Sequence, residues 1–173
     1  MVRVGPYGNL LGHLLRRYKY NHRDELAPLL GSWLIEAIAG ASWIDRVEAI
    51  TSVPSHWSRR LLRPRHPADD LASMVARGID RPHVHLLRRT RAGPHQVGLT
   101  YQQRLMNVRG LFRMRRGVRL AGATVLIIDD VRTTGATLNE CGKILRRAGA
   151  NELYAGVVVC AQPHSSGSVP DGI

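Results

Sequence analysis

Cysteines, aromatic rings and acids are all scarce in this chain, and each shortage removes a class of protein. The 173 residues include two cysteines, Cys141 and Cys160, with no Cys-x-x-Cys pair. That argues against a disulfide framework. Aromatic residues make up 5% of the chain, with a single phenylalanine, so rings on which single-stranded bases could stack are few. No apolar run reaches the roughly eighteen residues of a membrane span. Met1-Val2-Arg3-Val4-Gly5 lacks the apolar core of a signal peptide. No membrane insertion is expected, and the cytoplasm is the expected compartment. Acids are outnumbered 13 to 25 by Lys and Arg, giving a net charge of +12 and a pI of about 11.1. Such a surface steers small phosphorylated anions and nucleic acids alike, so charge alone selects no partner.

At 44% hydrophobic content, a chain of this length buries one ordinary core. Its most informative stretch is Val125-Leu126-Ile127-Ile128-Asp129-Asp130-Val131-Arg132-Thr133-Thr134-Gly135-Ala136-Thr137. The four leading apolar residues predict a strand covered on both faces, as parallel strands in α/β folds are. Successive strand residues point to opposite faces. Asp129 and Asp130 are therefore expected where the strand ends, beyond the carboxyl edge where such sheets bind ligands. Gly135 permits a tight turn. The threonine hydroxyls and the amides opening the next helix then face a phosphate at the positive end of the helix dipole. Acids for hydroxyls followed by a threonine turn for phosphate describe a sugar-phosphate site. Leu138, Cys141, Ile144, Leu145 and Ala148 share one helical face, with Arg146 and Arg147 in the last turn and Gly149 as the stop. Leu153 to Val159 is again strand-like, completing a right-handed βαβ unit.

Elsewhere the pattern predicts helices over 10–20, 24–39 (capped by Asp24) and 67–77, and strands over 47–53 and 84–87. Residues 88–119 are basic and poor in apolar periodicity, apart from a helical turn around Leu105. They read as a hood over the site. The tail from Gln162, rich in Ser, Gly and Pro, is expected to be mobile.

Residues 125–137 resemble the phosphoribosyl pyrophosphate (PRPP) motif of type I phosphoribosyltransferases: a hydrophobic strand, two acids, then Thr-Thr-Gly-x-Thr. The resemblance narrows to the ComF competence family. Arg88-Arg89, Gln96, Gly98-Leu99, Arg104, Asn107-Val108-Arg109-Gly110 and Phe112 match that family's internal segment in order and spacing, and Arg17-Tyr18-Lys19-Tyr20 resembles its N-terminal Lys-Tyr element. The resemblance implies an α/β fold, a mainly parallel sheet flanked by helices, in one domain over 1–162 with hood elements from 1–45 and 88–119. It implies that Asp129 and Asp130 bind the ribose hydroxyls, contact Mg²⁺ directly or through water, and supply any catalytic carboxylate. Thr133, Thr134, Gly135, Ala136 and Thr137 would wrap the 5-phosphate, with Val131 and Arg132 belonging to the same segment that binds the ribose and 5-phosphate. Val53, Pro54, Ser55 and His56, with Arg59 beside them, would form the pyrophosphate loop. Arg88, Arg89, Gln96, Arg104 and Asn107 would belong to the hood or acceptor side.

Two departures stand out. The four-cysteine zinc module with which many members begin has no counterpart, so no zinc is expected. After His56 the family's Arg-Gly-Phe-Asn-Gln segment is replaced by Arg63-Pro64-Arg65-His66-Pro67, which touches the pyrophosphate or acceptor region. Three readings stay open: a phosphoribosyltransferase acting on a nitrogen acceptor, a noncatalytic PRPP- or nucleotide-binding accessory of DNA uptake working with competence proteins, and a basic module binding single-stranded DNA.

Overall fold

The structure, a computed structural model, describes residues 1–6, 8–20, 25–54, 66–90 and 106–160. Four parallel strands form the main sheet in the order β1-β6-β5-β2: β1 (Val2–Pro6), β6 (Leu153–Cys160), β5 (Val125–Arg132) and β2 (Ala49–Ser52). The helices are α1 (Asn9–Tyr20), α2 (Leu26–Ala39), α3 (Pro67–Gly78) and α4 (Ala136–Arg147). A short antiparallel pair, β3 (Leu87–Arg89) with β4 (Phe112–Met114), stands apart from the main sheet.

Alternation along β5 divides the core in two. Leu126 and Ile128 pack with Leu30, Leu34 and Ile38 of α2 and Leu71 and Val75 of α3. Val125 and Ile127 pack instead with Leu138, Cys141 and Leu145 of α4, with Leu87 and Phe112 of the small pair, and with Leu86 just before it. The central strand is thus apolar on both faces because helices cover both. Gly31 lets α2 lie close on α3, since a Cβ there would collide with the Met74 side chain. Pro67 suits the first turn of α3, where its missing N–H costs no helical bond.

Several boundaries differ from the sequence expectation. Strand β1 was not anticipated; its alternating residues become a strand through parallel pairing with β6, Val2 opposite Gly156 and Gly5 opposite Val159. The stretch expected as a strand over 84–87 lies mostly before β3. There Val84 N–H donates to the Ile50 carbonyl, and Pro82 O accepts from Ile50 N–H, which ties the backbone beside β2 rather than into a ladder. Helix α2 begins after Glu25; Asp24, expected as its cap, and the tail from Gln162 lie outside the described residues. Among the described residues no helix is long and apolar enough to cross a membrane.

Candidate functional site

The acid pair lies within the strand rather than after it. Strand β5 stays paired with β6 through Asp129 opposite Val157 as far as Arg132 opposite Cys160. On its other side, β2 ends with Ser52 opposite Ile128. Val53 N–H still donates to Ile128 O at 2.9 Å, and β2 pairs with β5 no further. From Asp129 onward, among the described residues, no strand pairs with β5 on that flank, and the offset between neighbouring strands places the acids at the carboxyl edge of the sheet, where a strand end was expected to place them.

The two acids follow the alternation of the strand. Asp130 continues the face of Leu126 and Ile128, where its Oδ2 meets Lys19 Nζ of α1 at 2.6 Å. Asp129 continues the other face, toward α4, and its charge helps push up the thiol of Cys141. They are linked nonetheless: Asp129 Oδ1 accepts the backbone N–H of Asp130 at 2.9 Å. Burial, then the neighbouring Asp130 carboxylate, raise Asp129 well above the ordinary carboxylate range, with Lys19 pulling the other way.

The turn that follows has the predicted geometry. Gly135 adopts φ 78° immediately before α4, and the Ala136 amide donates to Thr134 Oγ1 at 3.2 Å. Arg132 lies close over Gly135: a Cβ at Gly135 would stand 3.0 Å from its Nε. A guanidinium, a hydroxyl-lined turn and a helix N-terminus thus converge within six residues of the acids, a combination suited to phosphate. Thr133 is exposed, while Val131, Thr134 and Thr137 are half-buried.

The carboxyl end of α1 reaches the same edge. Besides the Lys19 ion pair, Tyr18 Oη donates to Asp70 Oδ2 of α3 at 3.3 Å. Tyr18 and Lys19 of the Arg17-Tyr18-Lys19-Tyr20 element therefore fasten α1 to this edge of the sheet and to α3, contacts that spacing in the sequence does not disclose.

The remaining expected residues are distributed less tightly. Val53 and Pro54 are buried just beyond β2, next to the strand that carries the acids. Ser55, His56, Arg59, Gln96 and Arg104 lie outside the described residues, as do Arg63, Pro64 and Arg65; His66 precedes α3 with extended backbone. Arg88 is exposed on β3 opposite Arg113, and the Arg89 guanidinium stands 5.7 Å over the Phe112 ring. Asn107 is half-buried in a helical turn. Among the described residues no contact joins Arg88 or Asn107 to the acid pair.

Comparison with known proteins places the chain in a family and a fold. Residues 70–171 match the family model described as the phosphoribosyl transferase domain. Competence protein F of Haemophilus influenzae is 30% identical over 158 residues, a match covering 88% of this chain and 69% of that protein. DNA utilization protein YhgH of Escherichia coli K12 is 30% identical over 154 residues, covering 87% and 67%. Among solved structures, adenine phosphoribosyltransferase from Leishmania tarentolae superposes with a TM-score of 0.50 at 15% identity, covering 84% of this chain and 75% of that one. At that identity the likeness speaks to the fold alone.

Proposed function

Because the chain belongs to the phosphoribosyltransferase family, alongside competence protein F and YhgH, we propose that its crevice binds PRPP with Mg²⁺ and transfers phosphoribose to a nitrogen acceptor, releasing pyrophosphate. The observation that carries this reading is the placement of Asp129 and Asp130 beyond the last β2 pairing of β5, linked through the Asp130 amide and followed by a positive-φ Gly135 turn at the N-terminus of α4. Carboxylates accept hydrogen bonds from sugar hydroxyls, and first-turn amides with Arg132 take a phosphate.

The donor set suits magnesium. Asp129 and Asp130 are hard oxygen donors at adjacent positions, the kind of partner magnesium takes directly or through water. When bound, Mg²⁺ would hold diphosphate oxygens and offset their charge. The residues of the chain orient the ribose and exclude water around C1, where the bond to pyrophosphate breaks as the bond to nitrogen forms and positive charge builds on the ring. One of the two acids, in its ionised form, would accept the proton the acceptor nitrogen loses.

A second reading has one support, the names of the curated relatives, which speak of competence and DNA utilization. In it the same crevice binds a phosphoribosyl ligand without turnover, as an accessory to DNA uptake. Thermal denaturation with PRPP, with and without Mg²⁺, separates these from a vestigial site. Native-state binding at a hundredfold excess over Kd raises Tm by about 5–10 °C, and Asp130→Asn should abolish most of that shift. Pyrophosphate release across a panel of nitrogen bases then distinguishes transfer from binding alone. Equal shifts in the wild type and Asp130→Asn would refute the proposed contact.

A further inference from the structure

One cluster at the same sheet edge takes no part in the site described. Asp69, in the first turn of α3, and His83 and His85, on the extended stretch beside β2, bring one ligand atom each to within 4.8 Å of one another. His85 Nδ1 lies 3.2 Å and His83 Nε2 3.6 Å from Asp69 Oδ1. A tetrahedral ion with bonds of about 2.1 Å spaces its donors about 3.4 Å apart, so the spacings already approach a coordination sphere. The rings stand nearly edge to face, 4.8 Å between centroids. His83 Nε2 is buried and, among the described residues, has no hydrogen-bond partner, which is costly for a polar atom unless something fills its place.

The cluster is also held in position. Ser52 Oγ, the last residue of β2, donates to Asp69 Oδ1 at 2.6 Å, the outer-sphere support that ligating carboxylates receive. The backbone carrying the two histidines is hydrogen-bonded to Ile50 on either side of His83. Desolvation lowers the His83 pKa, which favours the neutral imidazole that metals require.

We propose that Asp69, His83 and His85 form a binding site for a divalent transition-metal ion of the zinc class, with its fourth position open to the solvent side, where Asp69 and His85 are partly exposed. Two imidazoles and one carboxylate suit a borderline ion and not magnesium, whose partners are oxygens. The shortage of cysteine argues against a thiolate module and does not bear on this donor set. Its three donors are other residues than the acid pair, and the proposal stands whether or not that pair binds PRPP.

The test uses untagged, chelator-stripped protein titrated with Co²⁺, followed by the visible absorption of a four- or five-coordinate complex, and then Zn²⁺ competition. The expected result is saturable 1:1 binding displaced by Zn²⁺. Asp69→Asn or the double variant His83→Gln/His85→Gln should weaken it tenfold or more, and Ser52→Ala by a smaller factor. Asp130→Asn should leave it unchanged. Far-ultraviolet circular dichroism of each variant without metal checks that it folds, and His85→Gln alone, at the more exposed ligand, serves if the double variant does not. Absence of a saturable complex in the wild type, equal affinity in the folded ligand variants, or loss through Asp130→Asn alone would each overturn the assignment.

Discussion

Asp129 and Asp130 carry the same side chain at adjacent positions and experience different surroundings. Asp130 has Lys19 at 2.6 Å, whereas Asp129 is desolvated and repelled by its neighbour. A carboxyl raised in the folded state retains a proton that the unfolded chain has already lost. Its contribution to stability is therefore complete below the ordinary value of 3.8 and lost as pH rises through the folded value. Asp129→Asn removes that loss while keeping an oxygen that can accept from the Asp130 amide. Compared by urea denaturation between about pH 4 and pH 8, the variant should gain stability relative to the wild type as pH increases, while losing its response to PRPP. A pH-independent difference would mean that Asp129 is not held high. The identity of these residues was legible from their place after an apolar run. Their inequality was not, because Lys19 stands more than a hundred residues away in the chain and no local pattern indicates which carboxylate it meets.

At the scale of elements, local signals were read well and distant pairing poorly. The strand, turn and helix of 125–147 follow from contiguous residues: β-branched apolar positions, a glycine that takes positive φ, and an amphipathic face ending in Arg146 and Arg147. Strands β1 and β4 have no such signature. Each is short, and β1 exists through a neighbour about 150 residues later, so tertiary pairing outweighs local preference. The cluster of Asp69, His83 and His85 has a weak local signature for a related reason: two histidines at strand spacing, i and i+2, share a face, but Asp69 reaches them only through the fold. Gly135 concentrates the element-scale requirement in one residue. In Gly135→Ala, a Cβ at φ 78° would also crowd Arg132. The expected cost is about 1–2 kcal/mol in urea denaturation, with PRPP binding weakened more than the fold. A variant that binds PRPP as the wild type does would show that the turn does not shape the phosphate site.

For the molecule as a whole, the two core clusters on either face of the sheet meet at β5 and β6, and the cysteines report on that junction. Cys141 lies on α4 one turn beyond the Gly135 turn, and Cys160 closes β6; both are free and buried. Desolvation, with the charges of Asp129 and Glu140, pushes the Cys141 thiol far up, and only a thiolate reacts with an alkylating or disulfide reagent. Labelling of both thiols should accordingly be slow in the native protein and complete in denaturant, with a native rate that follows opening of the fold. Any ligand that binds the native state lowers the open population by the factor 1 + [L]/Kd. PRPP with Mg²⁺ should therefore slow Cys141 labelling by about a hundredfold at a hundredfold excess over Kd, in the wild type and not in Asp130→Asn. Fast labelling of Cys141 without denaturant would contradict its burial. Slow labelling that PRPP leaves unchanged in the wild type would place the ligand, if it binds at all, on a surface uncoupled from the opening of α4.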